Sequence, residues 1–187
     1  PRWSRHHDRM ASMSALVSSN GRIFYIMDEG SRVSIQLPAK WALIARDAFN
    51  GTVLWKRKID HWQNHLFPLK SGPTQLARRL VADGDRIFVT LGLEAPLLCL
   101  DAASGEELWL FDPESYRLGP PNFSPVQTRG IEYWTDGEVE RIFLATLGKQ
   151  LVSIDVATGR ADPDFGDNGF IDLKENLGRL EFEIRNI

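Results

Sequence analysis

Cysteine is almost missing from this sequence, since its 187 residues contain a single one, Cys99. One cysteine excludes an internal disulfide and a cysteine-based metal cluster. Long apolar runs are missing too, because none approaches the roughly 18 residues that a membrane helix requires. No signal peptide is recognisable either. The chain begins with Pro1 rather than Met, so we expect a processed product or a fragment of a longer protein.

A surplus of either charge is also lacking, since the formal net charge is −3. Such a balance argues against nucleic acid, or an anionic membrane, as a general partner. Hydrophobic residues make up 43% of the chain, charged residues make up 25%, and there are six tryptophans. This is the composition of a globular protein rather than of a disordered one.

What the sequence does contain is an internal repeat. The tripeptide Arg-Ile-Phe occurs at 22–24, 86–88 and 141–143, each time after an Asn-Gly or Asp-Gly pair. Such pairs supply the positive φ that a hairpin turn needs. The residues after each tripeptide are apolar at both odd and even positions, which predicts strands covered on both faces.

A second motif follows each tripeptide and has the pattern Leu-x-small-x-Asp-x-x-[Asn/Ser/Thr]-Gly. Its aspartates are Asp47, Asp101 and Asp155, each 54 residues from the next. The carboxylate can accept backbone N–H groups of the turn, and the glycine suits the left-handed residue that closes a bulged hairpin. Trp55 and Trp109 come four residues after the first two glycines and are predicted to pack across to a neighbouring sheet. The third unit has proline at the corresponding position.

Each unit therefore reads as a four-stranded antiparallel meander of about 50 residues, the size of one propeller blade. We predict an all-β protein, a β-propeller fragment of about three four-stranded antiparallel blades. The prediction is a single partial propeller over residues 1–187, with units at about 14–60, 77–112 and 129–170. Residues 170–173 are expected to start a following strand. Because propellers close with roughly four to eight blades, the remaining blades are expected to be partners of this chain.

The residues of the repeat also resemble a known family. The stretch DAASGEELW at 101–109 resembles the blade motif of quinoprotein propellers. Residues 128–178 resemble an N-terminal region of dehydrogenases dependent on pyrroloquinoline quinone (PQQ), through Arg-Gly-x-x-Tyr-Trp, Arg-Ile-Phe and FGDNG-x-[Ile/Val]-Asp-Leu. Residues 1–112 resemble the wider group of such propellers, which includes non-enzymatic members.

This resemblance implies a full propeller of eight blades, PQQ and calcium as cofactors, and a location in the periplasm or elsewhere outside the cytoplasm. It implies a sugar or polyol substrate and an electron acceptor, with no nucleic acid. Arg129 is implied to contact the carboxylates of the quinone, and a guanidinium fork suits such a ligand. The family's calcium ligands and catalytic aspartate match no position in this chain. The alcohol-oxidising branch carries a vicinal cysteine pair before this arginine, whereas residues 122–125 read NFSP.

Two functions therefore stay open. The first is part of a quinoprotein dehydrogenase, which this chain alone would not suffice to make active. The second is a non-catalytic propeller that serves as a binding or assembly scaffold. Arg129 fits both, because an arginine at this place could equally pair with a carboxylate between blades.

Other chemically suggestive residues have simpler interpretations. Cys99 stands at the same position of its repeat unit as Ala45 and Ser153, two residues before the turn aspartate. A position that requires a small residue predicts a buried structural thiol. Residues 162–169 are predicted to form a polar turn, because the EF-hand order is not met and Leu173 stands where its glutamate would fall. The remaining candidates are predicted to be solvated or packing histidines (His6, His7, His61, His65), turn aspartates (Asp47, Asp101, Asp155) and a basic pair too short for nucleic acid (Arg78, Arg79).

Overall fold

The structure is a computed structural model, which describes residues 13–31, 37–60, 79–92, 95–114, 117, 130–146 and 148–175. These residues form twelve β-strands and no α-helix. Within these ranges there is accordingly no helix that could cross a membrane. The all-β prediction is confirmed.

The strands form three four-stranded antiparallel sheets. The first sheet contains β1 (Met13–Ser19), β2 (Arg22–Asp28), β3 (Trp41–Asp47) and β4 (Val53–Lys58). The second contains β5 (Leu80–Asp83), β6 (Arg86–Thr90), β7 (Leu97–Asp101) and β8 (Glu107–Phe111). The third contains β9 (Ile131–Thr135), β10 (Glu140–Ala145), β11 (Gln150–Asp155) and β12 (Phe170–Asp172).

In each sheet the strands lie side by side in chain order, as the meander prediction requires. Each Arg-Ile-Phe opens the second arm of a hairpin, with two-residue loops in the first two sheets and a four-residue loop in the third. Residues 170–172 do form a strand, as expected, but the expectation that this strand follows the third unit is wrong. Phe170 pairs with Val152 of β11, so β12 is the outer strand of the third sheet. The repeat spacing does not reveal this pairing, because a long connection separates β11 from β12. That residues 1–187 form a single domain stays a prediction.

The sheets are arranged around their first strands. β1 packs next to β5, and β5 packs next to β9, so these are the inner strands and β4, β8 and β12 are the outer ones. This is the blade arrangement of a propeller, in which inner strands surround a common axis.

Two apolar clusters fill the seams between the sheets. The first sheet presents Phe24 and Leu43 to Ile87 of the second sheet. The second sheet presents Phe88 on its other face, which packs against Ile142 of the third. Alternate residues of one strand thus enter different clusters, because successive side chains of a strand point to opposite faces. This explains why the strands are apolar at both odd and even positions.

The aspartate turns are the most regular feature of the repeat. In all three, the carboxylate Oδ1 accepts a hydrogen bond from the backbone N–H three residues later, at 2.9 Å for Asp47, 2.7 Å for Asp101 and 2.7 Å for Asp155. The glycine that closes each turn has a φ between +68° and +75°. The β3–β4 and β7–β8 pairings both shift register next to the turn, as a bulged hairpin requires. The structural interpretation of these aspartates is confirmed.

Two tryptophans connect neighbouring sheets through these turns. The indole Nε1–H of Trp55 in the first sheet donates to the carbonyl of Ala102 in the second, at 3.1 Å. The indole Nε1–H of Trp109 donates to the carbonyl of Val156 in the third sheet, at 2.9 Å. Each indole therefore buries an apolar ring and satisfies its one donor in the same contact.

The arginine of the tripeptide forms a second contact across each seam. Arg22 Nη1 donates to Asp85 Oδ1 of the second sheet at 2.9 Å, and Arg86 Nη1 donates to Glu140 Oε2 of the third at 3.0 Å. Both ion pairs are partly solvent-exposed, so each contributes no more than about 1 kcal/mol. The repeat of Arg-Ile-Phe therefore reflects a buried Ile or Phe and an arginine that reaches the next sheet.

Replacing the turn glycines tests the tryptophan contact. Gly51 and Gly105 share a φ near +75°, but a Cβ on Gly105 would lie 2.7 Å from Trp55 Cδ2, whereas a Cβ on Gly51 would meet nothing within 4 Å. We expect Gly51→Ala to cost about 1–2 kcal/mol of unfolding free energy through its backbone alone. Gly105→Ala should cost about 1–3 kcal/mol more, because the indole must move. Urea unfolding of both variants measures the difference, and equal losses would contradict docking of the indole on this glycine.

A pH series tests the aspartate turns. The N–H and hydroxyl of Ser104 hold the pKa of Asp101 below its ordinary value of 3.8. A pKa lowered by folding stabilises the fold above pH 3.8, and that contribution is lost as the pH falls through the lower folded value. Asp101→Asn should therefore lower the melting temperature at pH 7, with a deficit that shrinks below pH 3.8. Glu106→Gln is the control in the same turn, and a deficit independent of pH would refute the role of this carboxylate.

Candidate functional site at the loop end of the inner strands

The two ends of the sheets differ in what they carry. The aspartate turns and the hairpins before each Arg-Ile-Phe lie at one end. At the other end, which we call the loop end, the inner strands begin and the second strand of each sheet connects to the third. Among the described residues, the loop end carries a buried arginine and a buried carboxylate, Arg79 and Asp28, whereas the other buried carboxylate, Asp162, lies beside Arg141 of the third sheet. The loop end is therefore the candidate functional site.

Arg79 is the buried cation of the loop end. It precedes β5, is 4% exposed, and donates through Nη1 to the carbonyl of Gly92 and, at 3.4 Å, to Thr90 Oγ1. Burial lowers the pKa of Arg79 to about 10, so the guanidinium stays charged at neutral pH. In the sequence this residue stands out only as half of a basic pair. Its burial depends on the fold, and no local signal predicts it.

Asp28 is a buried carboxylate at the same end of the first sheet. Its Oδ1 accepts the backbone N–H groups of Gly30 and Lys40, both at 2.7 Å. It therefore fastens both ends of the connection between β2 and β3. An aspartate two residues before a glycine is a turn signal, which the sequence analysis did not use.

Equivalent backbone hydrogen bonds in the second and third sheets show where Arg129 lies in the sequence relative to the equivalent of Arg79. Thr90 N–H donates to the carbonyl of Arg79 at 3.1 Å, and Ala145 N–H donates to the carbonyl of Gly130 at 3.4 Å. Gly130 is thus the equivalent of Arg79 in the third sheet, and it leaves that place without a side chain. Arg129 lies outside the described residues, and its position immediately precedes Gly130, where β9 enters from the loop end.

Several other candidates also lie outside the described residues, namely His6, His7, His61, His65 and Arg78. Among the residues that are described, no group of three or more His, Cys, Asp or Glu side chains could hold a metal ion. Residues 162–169 form a turn that joins β11 to β12, as predicted. The three turn aspartates lie at the opposite end from Arg79, so the fold does not bring them into this site.

Cys99 is a buried thiol, as predicted. It is fully buried, as are Ala45 and Ser153 at the same position of the other two repeat units. Burial raises the pKa of the Cys99 thiol to about 12, so the nucleophilic thiolate is scarce at neutral pH.

Thiol labelling tests this assignment. We expect a disulfide reagent at pH 8 to leave Cys99 unmodified in the folded protein and to modify it fully in urea. Ser18→Cys adds a thiol at an exposed position of β1 and should label at once. Rapid labelling of Cys99 in the folded protein would show an accessible thiol instead.

The chain matches known proteins over most of its length. The protein family described as "PQQ: Glucose/ethanol/alcohol dehydrogenase, beta-propeller domain" matches residues 52–185, well over half of the chain. This segment includes the whole second and third sheets.

Three curated relatives show how far the similarity extends. The quinohemoprotein alcohol dehydrogenase ADH IIB of Pseudomonas putida is 33% identical over 78 residues, covering 41% of this chain and 11% of the relative. The glycerol dehydrogenase large subunit of Gluconobacter oxydans is 28% identical over 103 residues, covering 51% and 13%. The quinoprotein glucose dehydrogenase A of Acinetobacter calcoaceticus is 25% identical over 123 residues, covering 56% and 15%. The chain thus spans only a small part of each relative's length.

Solved structures with a similar arrangement include BamB from Moraxella catarrhalis. It is 16% identical, with a TM-score of 0.47, and the match covers 81% of this chain and 36% of that chain.

Proposed function

Because this chain belongs to the family of glucose, ethanol and alcohol dehydrogenase β-propeller domains, we propose that it is part of a PQQ-dependent dehydrogenase that oxidises a sugar or polyol. The observation that carries the proposal is the family match over residues 52–185, which includes Arg129 and the inner strand β9 that follows it. Its location would be the periplasm or another compartment outside the cytoplasm, where an electron acceptor takes up the electrons. The remaining blades would complete the propeller.

The residues at the loop end suit a quinone that carries carboxylates. Such a ligand requires positive charge near the axis, and a guanidinium can bind a carboxylate through two parallel hydrogen bonds. Arg79 is a buried cation at this end of the second sheet, and Asp28 is a buried carboxylate at the same end of the first. Arg129 directly precedes Gly130, the equivalent of Arg79 in the third sheet. The proposal therefore assigns the binding of a quinone carboxylate to Arg129 itself.

Calcium is a separate part of the proposal. Since no cluster of metal-binding side chains occurs among the described residues, its ligands would come from other parts of the protein.

When bound, the quinone accepts the electrons that leave the alcohol carbon of the substrate, and the protein binds and orients it. The role we assign to this chain is that Arg129 binds a carboxylate of the quinone and fixes its orientation. Arg79 fastens the start of β5 to the β6–β7 connection, which keeps that rim of the site in place.

The choice of sugar or polyol over simple alcohol rests on the segment before Arg129. Residues 122–125 carry no cysteine, whereas the alcohol-oxidising branch has a cysteine pair there. Glycerol and glucose dehydrogenases are among the relatives, as is an alcohol dehydrogenase. A substrate panel of glucose, glycerol and ethanol therefore separates the branches.

Reconstitution tests the function. The protein with its full set of blades, incubated with PQQ and calcium, should show a red-shifted cofactor absorbance and should reduce a dye when glucose or glycerol is added. The 187-residue chain alone is expected to be inactive. If the complete protein gives neither the absorbance change nor dye reduction, the scaffold function is favoured instead.

A substitution tests the role of Arg129. Arg129→Ala should weaken PQQ binding by about 10- to 100-fold, because a charge-assisted hydrogen bond contributes about 1.5–3 kcal/mol. Arg117→Ala is the matched control, since Arg117 is an exposed arginine paired with Glu114 at 2.8 Å. Equilibrium dialysis measures the affinity of both variants. Equal affinities, with unchanged melting temperatures, would remove Arg129 from the cofactor site.

A further inference from the structure

The third sheet lacks the tryptophan that links the first two sheets to their neighbours. Pro163 stands at the place of Trp55 and Trp109, and β12 starts only at Phe170. Residues 161–169, which we call the strap, fill the interval between the Asp155 turn and β12. The strap lies on the face of the third sheet that points away from the second.

The strap provides an aromatic ring in place of the missing tryptophan. In the first sheet, the tripeptide Phe24 packs against Trp55 with ring centroids 6.2 Å apart, and Phe88 packs against Trp109 at 5.9 Å in the second. In the third sheet, Phe143 packs against Phe165 of the strap at 5.5 Å. The same tripeptide residue is thus covered in all three sheets.

The strap also provides a carboxylate in place of the one from a neighbouring sheet. Arg22 and Arg86 pair with acids of the next sheet, whereas Arg141 Nη2 lies 2.8 Å from Asp162 Oδ2 within its own sheet. Asp162 is buried, with 7% of its surface exposed. The guanidinium of Arg141 also lies over the ring of Trp134, 5.8 Å from its centroid. The tripeptide arginine of the third sheet therefore has its ion-pair partner within its own sheet.

Both ends of the strap are tied to one residue of β11. Ser153 N–H donates to the carbonyl of Gly169 at 3.0 Å, and Asp162 N–H donates to the carbonyl of Ser153 at 2.9 Å. Gly169 has a φ of +99°, and a Cβ there would lie 2.6 Å from Ala161 Cβ. The strap is therefore a closed, packed segment and not a loose loop.

A cavity of about 430 Å³ opens beside the strap, on the same face of the sheet. Its lining carries two cationic and two anionic side chains, which are Arg141, Arg160, Asp155 and Asp162. Because Asp162 already lies beside Arg141, an acid on an incoming turn would compete with it for the tripeptide arginine, whereas Arg22 pairs with the acid of the next sheet. This face thus differs in its ion pairing from the corresponding faces of the first two sheets.

We propose that the strap supplies, within the third sheet, both the ring that covers the tripeptide phenylalanine and the acid that pairs with the tripeptide arginine, so that a following sheet docks there without an arginine–acid pair. The docking part rests on the proposed propeller of further blades, and the strap itself does not depend on the cofactor. The partner of this face is the hairpin turn of a following four-stranded sheet, with no requirement for an acid at the position of Asp85 or Glu140.

Thermal unfolding of the 187-residue chain tests the strap. Arg141→Gln leaves the buried Asp162 carboxylate without its partner, so we expect the melting temperature to fall by at least about 6 °C. Asp162→Asn leaves an arginine that can reach solvent, and should cost about 2–4 °C. The double variant should lose clearly less than the sum of the two, because both changes remove the same contact.

The control is Asp164→Asn, an exposed carboxylate of the same strap, which should leave the melting temperature unchanged within about 1 °C. Additive losses for Arg141 and Asp162, or an Asp162→Asn variant that behaves like the control, would overturn the proposal. Should Arg141→Gln fail to fold, the strap still requires the double variant to fold better than that single one. Cofactor binding through Arg129 is measured separately, so failure of the strap leaves the proposed function standing.

Discussion

The fold depends on the contact between a tryptophan of one sheet and the aspartate turn of the next. The indole lies on the turn glycine, and in both seams its N–H donates to the carbonyl of the residue that follows the turn aspartate. This contact needs a flat ring, a turn without a Cβ and a carbonyl that points outward. The aspartate keeps the turn in that shape by holding its backbone N–H groups. Joining such a row of sheets allows each four-stranded sheet to bury both of its faces.

This constraint explains why some positions repeat and others vary. The glycines of the second and third turns recur because the preceding indole lies on them, whereas the connections inside the units differ in length. The small residue of the third strand, which is Ala45, Cys99 or Ser153, is fully buried in every sheet. Its size is required by the packing and its chemistry is not, so the thiol has no catalytic meaning.

The third sheet shows how the same requirement can be met by other means. Without a tryptophan, the sheet covers its tripeptide phenylalanine with Phe165 and pairs its arginine with Asp162. The aspartates of the turns and of the strap have structural roles. The turn aspartates hold the turns opposite the loop end, and Asp162 pairs with Arg141 on the outer face of the third sheet. At the loop end, the buried Arg79 instead holds the start of β5 against the β6–β7 connection.

The number of sheets, the strand order and the role of the aspartate turns could be predicted from the sequence, because they follow from local signals: apolar runs, turn glycines and fixed spacing. The sequence also predicted Cys99 as a buried thiol from its position in the repeat unit. The pairing of Phe170 with β11, the burial of Arg79 and the partners of Arg22, Arg86 and Arg141 were decided only by the tertiary structure. These contacts join residues that are 11 to 63 positions apart in the chain. No local sequence pattern tells which of such distant segments meet in space.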